Sequence, residues 1–143
     1  MLSPVSHAAT PEAVARYRLE PYVVAADVYG EPPHVGRGGW SWYTGSAGWW
    51  YRAALESVLG LRVEGGRTLV IRPCIPRDWP GFRVSYRLPD GLTRCEVRVH
   101  NGPGDGRPVA VRLNGADLEI EDSTARIMLP AGPGQHEIEV WLG

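Results

Sequence analysis

The sequence predicts an α+β protein that is helical up to about Gly60 and continues as an antiparallel β-sandwich or jelly roll. Three observations carry this. Apolar residues recur at helical spacing between Ser46 and Leu59; short alternating runs replace the Trp-, Tyr- and Ala-rich first part after Gly60; and Gly, Pro and Asn punctuate those runs.

In order along the chain, Thr10-Pro11-Glu12 marks a helix start, with a capping hydroxyl, proline in the first turn and an acid at the positive end of the dipole. A helix is expected from about Pro11 to Arg18. Glu20 to Tyr29 is continuously apolar and so expected to be buried, with helix and strand both open. Gly30 to Gly39 holds too many Pro and Gly residues for a regular element. It reads as a loop carrying His34 and Arg37, able to approach a ligand closely. From Ser46 to Leu59, Ala47, Trp50, Ala54, Leu55 and Val58 define the apolar face of a helix, with Trp50 expected in the core and Gly60 as a left-handed cap.

Val63 and Leu69 to Ile71 flank the hairpin turn Glu64-Gly65-Gly66, and Phe82 to Leu88 leads through Pro89-Asp90-Gly91 into Arg94 to His100. In that run Cys95, Val97 and Val99 alternate with polar residues, as in a strand with one wet face. Further strands are expected at Val109 to Leu113, at Leu118 to Ile120 after Asn114-Gly115, at Ala125 to Leu129 and at Glu137 to Leu142. Their even spacing is that of a sandwich or jelly roll.

With 143 residues, 43% hydrophobic content and a formal net charge of -1, the chain can bury one core and offers no electrostatic reason to expect nucleic acid. Cys74 and Cys95 are too few for a disulfide framework or a metal cluster. No apolar run approaches the roughly 20 residues of a membrane span, and Met1 to Thr10 lacks the regions of a signal peptide. A cytoplasmic segment without metal, cofactor or membrane contact is expected.

Chemistry concentrates between Arg37 and Trp50. Thr44-Gly45-Ser46-Ala47 lies at a helix start, where N–H groups lack partners and the dipole favours an anion such as phosphate. Thr44 could donate its hydroxyl, and Gly45 lets an oxyanion approach its N–H. A simple capping hydroxyl is the commoner use of such residues and stays open on spacing alone. Trp40, Trp42, Tyr43, Trp49, Trp50 and Tyr51 surround this turn and could stack on sugar rings or pack a core. Arg37 could hold phosphate or a hydroxyl, or be solvated. His7 and His34 stand alone and read as structural.

Leu2-Ser3-Pro4-Val5-Ser6-His7, Glu20 to Tyr29, the stretch Gly36-Arg37-Gly38-Gly39-Trp40-Ser41-Trp42-Tyr43-Thr44-Gly45-Ser46-Ala47-Gly48-Trp49, and Pro73-Cys74-Ile75-Pro76 together resemble the C-terminal region of glycoside hydrolase family 94. The likeness is strongest to the phosphorylase-like end of cyclic β-1,2-glucan synthases, with cellobiose and chitobiose phosphorylases further off. It covers Met1 to about Phe82; beyond that only the β character agrees.

The resemblance implies that residues 1–60 are the last helices of an (α/α) barrel and residues 61–143 a C-terminal, jelly-roll-like β-sandwich. It implies an inverting phosphorolysis of a β-glucan oligosaccharide, with inorganic phosphate as co-substrate and one Asp as general acid. The matching Thr-Gly pair assigns phosphate contacts to Thr44 and Gly45; Arg37, from the adjoining loop, is expected to add charge there, and Trp40, Trp42 and Tyr22 are expected to contact the sugar. No acid here matches the general acid, so no catalytic residue is assigned, Asp27 is structural, and the missing partner is an upstream barrel. The chain alone is expected to be inactive. The alternative is a carbohydrate-binding or structural β module, served by Trp79, Phe82, Tyr86 and Trp141 and able to support a homodimer.

Overall fold

The computed structural model describes residues 3–20, 22–42 and 44–143, Thr44 by its backbone alone. The chain forms two compact units, Met1–Ala53 and Ala54–Gly143.

In the first unit, helix α1 (Pro4–His7) is followed by α2 (Pro11–Tyr17). The Thr10 hydroxyl accepts the Ala13 N–H at 3.2 Å, and Arg18, left-handed at φ 57°, ends α2 one residue short of the expected limit. Tyr17 is fully buried, and its hydroxyl donates to the Val23 carbonyl (3.1 Å) and accepts from the Ala25 N–H (3.2 Å). That hydroxyl takes the place of a ladder partner. Among the described residues, the segment from Glu20 to Tyr29 is neither helix nor strand, although Val23 and Ala25 are buried. Nor is it buried throughout, since Tyr22 is 72% and Tyr29 44% exposed. Its second half runs beside the loop through Ala26 N–H to Trp40 O (2.8 Å), Tyr29 N–H to Arg37 O (2.9 Å) and a Val28–Gly38 bridge.

Helix α3 spans Thr44–Arg52 and passes into a π-helical segment, Ala53–Val58, where the Leu59 N–H reaches back five residues to the Ala54 carbonyl (2.9 Å). A uniform α-helix to Leu59 was expected. Leu55 and Leu59 pack on the β core, and Trp50, expected in a core, is 38% exposed. Gly60 follows at φ +69°, where a Cβ would collide with the Arg72 carbonyl.

The second unit holds β1 (Leu61–Glu64), β2 (Thr68–Ile71), β3 (Gly81–Arg87), β4 (Arg94–His100), β5 (Pro108–Leu113), β6 (Ala116–Leu118), β7 (Ala125–Met128) and β8 (Gln135–Leu142). They form a three-stranded sheet in the order β1-β2-β7 and a five-stranded one in the order β3-β4-β8-β5-β6. Gly65 and Gly66 turn β1 into β2, and Asn114-Gly115, with φ of 51° and 84°, makes the primed turn between β5 and β6. Because Ala116 pairs directly with Leu113 across that turn, β6 starts earlier than expected and stops before Ile120.

All pairs are antiparallel except β4 with β8, which run parallel with Val97 opposite Ile138. The expectation of a wholly antiparallel arrangement therefore fails at the centre of the larger sheet. Hairpin turns announce antiparallel neighbours locally, whereas this pairing joins strands far apart in sequence and has no local signature. Leu69, Ile71 and Ile127 from one sheet and Cys95, Val97, Val111, Ile138 and Val140 from the other belong to one buried core. The outer face of the larger sheet is charged, with Arg83, Arg98, Glu139, Arg112 and Asp117 in one row across the strands.

Candidate functional site

The elements that position the candidate residues lie in the first unit. Gly38 and Gly39 are there for close approach: a Cβ on Gly38 would meet Leu19 and the Tyr17 ring, and one on Gly39 would meet the Asp27 carboxylate. Asp27 thus packs against the backbone that leads into Trp40. Trp40 and Trp42 are 64% and 69% exposed. Trp42 sits at φ 61°, and its indole N–H donates to Glu20 Oε1 at 3.0 Å. That bond, with the Glu20 backbone and Ser41 contributing less, holds the Glu20 carboxyl below the usual range and keeps it an acceptor. An indole fixed by its edge leaves its ring face open to solvent.

Thr44 is the first residue of α3, and Gly45 is exposed in its first turn. N–H groups in that turn have no carbonyl four residues back within the helix, and the dipole adds positive potential. The Thr44 hydroxyl and Tyr43 lie outside the described residues.

Arg37 is exposed, its N–H bonded to the His34 carbonyl (2.9 Å) and its carbonyl to the Tyr29 N–H. It lines a cleft with Arg16, Arg18 and His34. Arg16 and Arg18 had not been singled out; the Arg-Tyr-Arg pattern at the end of a helix was the available signal. His7 stacks on Tyr17 at 4.2 Å and His34 meets Tyr29 edge-on at 5.9 Å. In the β unit, Trp141 stands between the His100 ring (5.3 Å, stacked) and the Arg112 guanidinium (5.1 Å), which occupy the faces a sugar would need.

Against known proteins, residues 1–60 match the glycosyl hydrolase 94 superfamily, catalytic domain. The chain is 51% identical over 109 residues to the cyclic beta-(1,2)-glucan synthase NdvB of Rhizobium meliloti (strain 1021), covering 76% of this chain and 4% of that protein. It is 34% identical over 126 residues to an N,N'-diacetylchitobiose phosphorylase of Vibrio proteolyticus, covering 87% and 15% of the two. A solabiose phosphorylase of Paenibacillus borealis is 41% identical over 61 residues, 42% of this chain and 8% of that protein. The chain belongs to the glycosyl hydrolase 94 superfamily. It spans between 4% and 15% of the length of the first two of these relatives. Among the described residues, no helix is long and apolar enough to cross a membrane.

Proposed function

We propose that this chain is the C-terminal part of an inverting glycoside phosphorylase or glycosyltransferase that uses inorganic phosphate on a β-glucan, with β-1,2 linkages. The observation that carries the reading is the start of α3 at Thr44-Gly45, inside the segment that matches the family's catalytic domain. The linkage is supported by the name of the R. meliloti relative. In this reading the Thr44 hydroxyl, the Gly45 N–H and Arg37 hold phosphate, while Trp40, Trp42 and Tyr22 face the sugar. Phosphate oxygen forms a bond to the anomeric carbon, the glycosidic bond breaks, and the leaving oxygen takes its proton from an acid outside these residues. Residues 1–60 then belong to the closing helices of an (α/α) barrel, and residues 61–143 to a C-terminal β-sandwich.

The test has two parts. A polypeptide of these 143 residues mixed with β-1,2-glucan and phosphate is expected to release no glucose 1-phosphate, because a proton donor contributes about 100-fold or more. In an enzyme that carries the segment together with its barrel, Thr44→Val should raise the KM for phosphate about tenfold, the worth of one charge-assisted hydrogen bond, and leave that for glucan nearly unchanged. Robust release by the short chain, or equal effects on both substrates, refutes the assignment.

A further inference from the structure

Trp42 combines three features that folding alone does not require together. Its indole is 69% exposed, its backbone is left-handed at φ 61°, and its N–H is bonded to Glu20 Oε1 at 3.0 Å. Among the described residues, the other non-glycine positions with positive φ are Arg18, which ends α2, and Asn114, Asp122 and Ser123, which lie in turns of the β unit. Asn and Asp tolerate that region, whereas a bulky aromatic residue stays there only where its surroundings over-determine it, and such outliers gather at binding sites. Buried apolar surface is what an aromatic side chain normally gains from folding, and Trp42 gains little of it.

The acceptor is anchored. Glu20 is half-buried, its carbonyl accepts the Val23 N–H (3.0 Å), and three residues before it the Tyr17 carbonyl accepts the Gly38 N–H (2.8 Å). Leu19 lies so close to Gly38 that a Cβ there would collide with it, and Tyr17 is fully buried. The carboxylate thus stands on the buried part of the first unit and reaches 22 residues along the chain to the indole. The Trp42 N–H first, then the Glu20 backbone and the Ser41 hydroxyl, favour its charged form, so it remains an acceptor across the neutral range.

We propose that Glu20 is a positioning residue for carbohydrate: by fixing the edge of the Trp42 indole it holds the exposed ring in one orientation, where it stacks on the apolar C–H face of a glucosyl unit. The inference rests on the reading that Trp42 faces the sugar. Glu20 acts through the indole, without touching substrate. A loose tryptophan side chain on the surface would have to be ordered when a sugar binds, whereas one already tied down has lost that freedom in folding. The N–H is the group to hold, because it lies in the ring plane and a bond to it covers neither face.

The experiment measures kcat and both KM values in the complete enzyme that carries this segment. Glu20→Ala is expected to raise the KM for glucan about fivefold, the cost of ordering one side chain on binding, and to leave kcat and the KM for phosphate unchanged. Glu20→Gln, whose amide oxygen still accepts the indole N–H, should return the KM for glucan to within about twofold of the parent. Trp42→Phe keeps a ring but has no N–H, at a position whose exposure spares the fold, and should match Glu20→Ala; the double variant should be no worse than either. A loss of kcat, or equal rises in both KM values, marks a merely structural role and overturns the proposal, as does a Glu20→Gln enzyme no better than Glu20→Ala. Trp42→Ala is the control. If it raises the KM for glucan while Glu20→Ala does not, the positioning role alone falls; if it leaves that KM unchanged, Trp42 is no sugar contact and both readings fall.

Discussion

Cys95 and Cys74 differ by environment alone. Cys95 is fully buried on β4, and that burial, helped by the carboxylates of Asp90 and Glu96, pushes its thiol from 9.0 up to about 11; Cys74 is exposed. Because the thiolate is the nucleophile, a thiol reagent at pH 8 should label one cysteine in the native chain and two after denaturation, countable by mass. Between pH 9.0 and about 11 the folded chain retains a proton that the unfolded chain releases, so this residue's contribution to stability falls as pH rises. The inward position of Cys95 was legible from its alternation with charged neighbours. So was the left-handed cap at Gly60. The role of Tyr17 was not, because a hydroxyl that bonds the main chain six and eight residues further on leaves no periodic trace.

Turns and helices show which elements can be read locally. The β3–β4 hairpin closes on Asp90, whose Oδ1 accepts from Leu92 N–H (2.9 Å) and Thr93 N–H (2.8 Å) and whose Oδ2 accepts from the Thr93 hydroxyl (2.5 Å). The Thr93 hydroxyl first, then the two N–H groups, hold this carboxyl below the usual range. The unfolded chain therefore takes up the proton first on acidification, and the stabilisation is present above the usual carboxylate range and lost as pH falls through the folded value. Denaturant melts across a pH series should show Asp90→Asn less stable than the parent near neutrality and the two converging in acid. A constant gap would mean that the charge of Asp90 contributes nothing. Pro89-Asp90-Gly91 announced this turn, and Thr10-Pro11-Glu12 announced α2, because each is specified by adjacent residues. The π-helical segment after Arg52 was hidden, since its composition is that of any amphipathic helix. The aromatic stretch left surface and core both open for Trp40 and Trp42, which are exposed, and its pattern could not distinguish an outward Trp50 from an inward one.

At the scale of the molecule, the two units should differ in local stability. Among the described residues the first has short helices, an irregular ribbon and six exposed tryptophan and tyrosine side chains, at Tyr22 and between Trp40 and Tyr51, whereas β4 is bonded on both sides and buries one face in the core. Opening is cheaper where few apolar contacts must break. Native-state hydrogen exchange should be faster across Tyr22 to Tyr29 than across Arg94 to Val99; equal protection would mean that the first unit is as cooperative as the second. The division into a helical and a β part was legible from composition, while the order of strands was not. That order has a consequence for synthesis. Strand β8 lies between β4 and β5, so until its residues have been translated the ribosome carries two separate ribbons, β3-β4 and β5-β6, each with an open edge beside apolar valines. The larger sheet therefore stays divided during synthesis, and the step that joins both ribbons is withheld until Gln135 to Leu142 emerge from the exit tunnel.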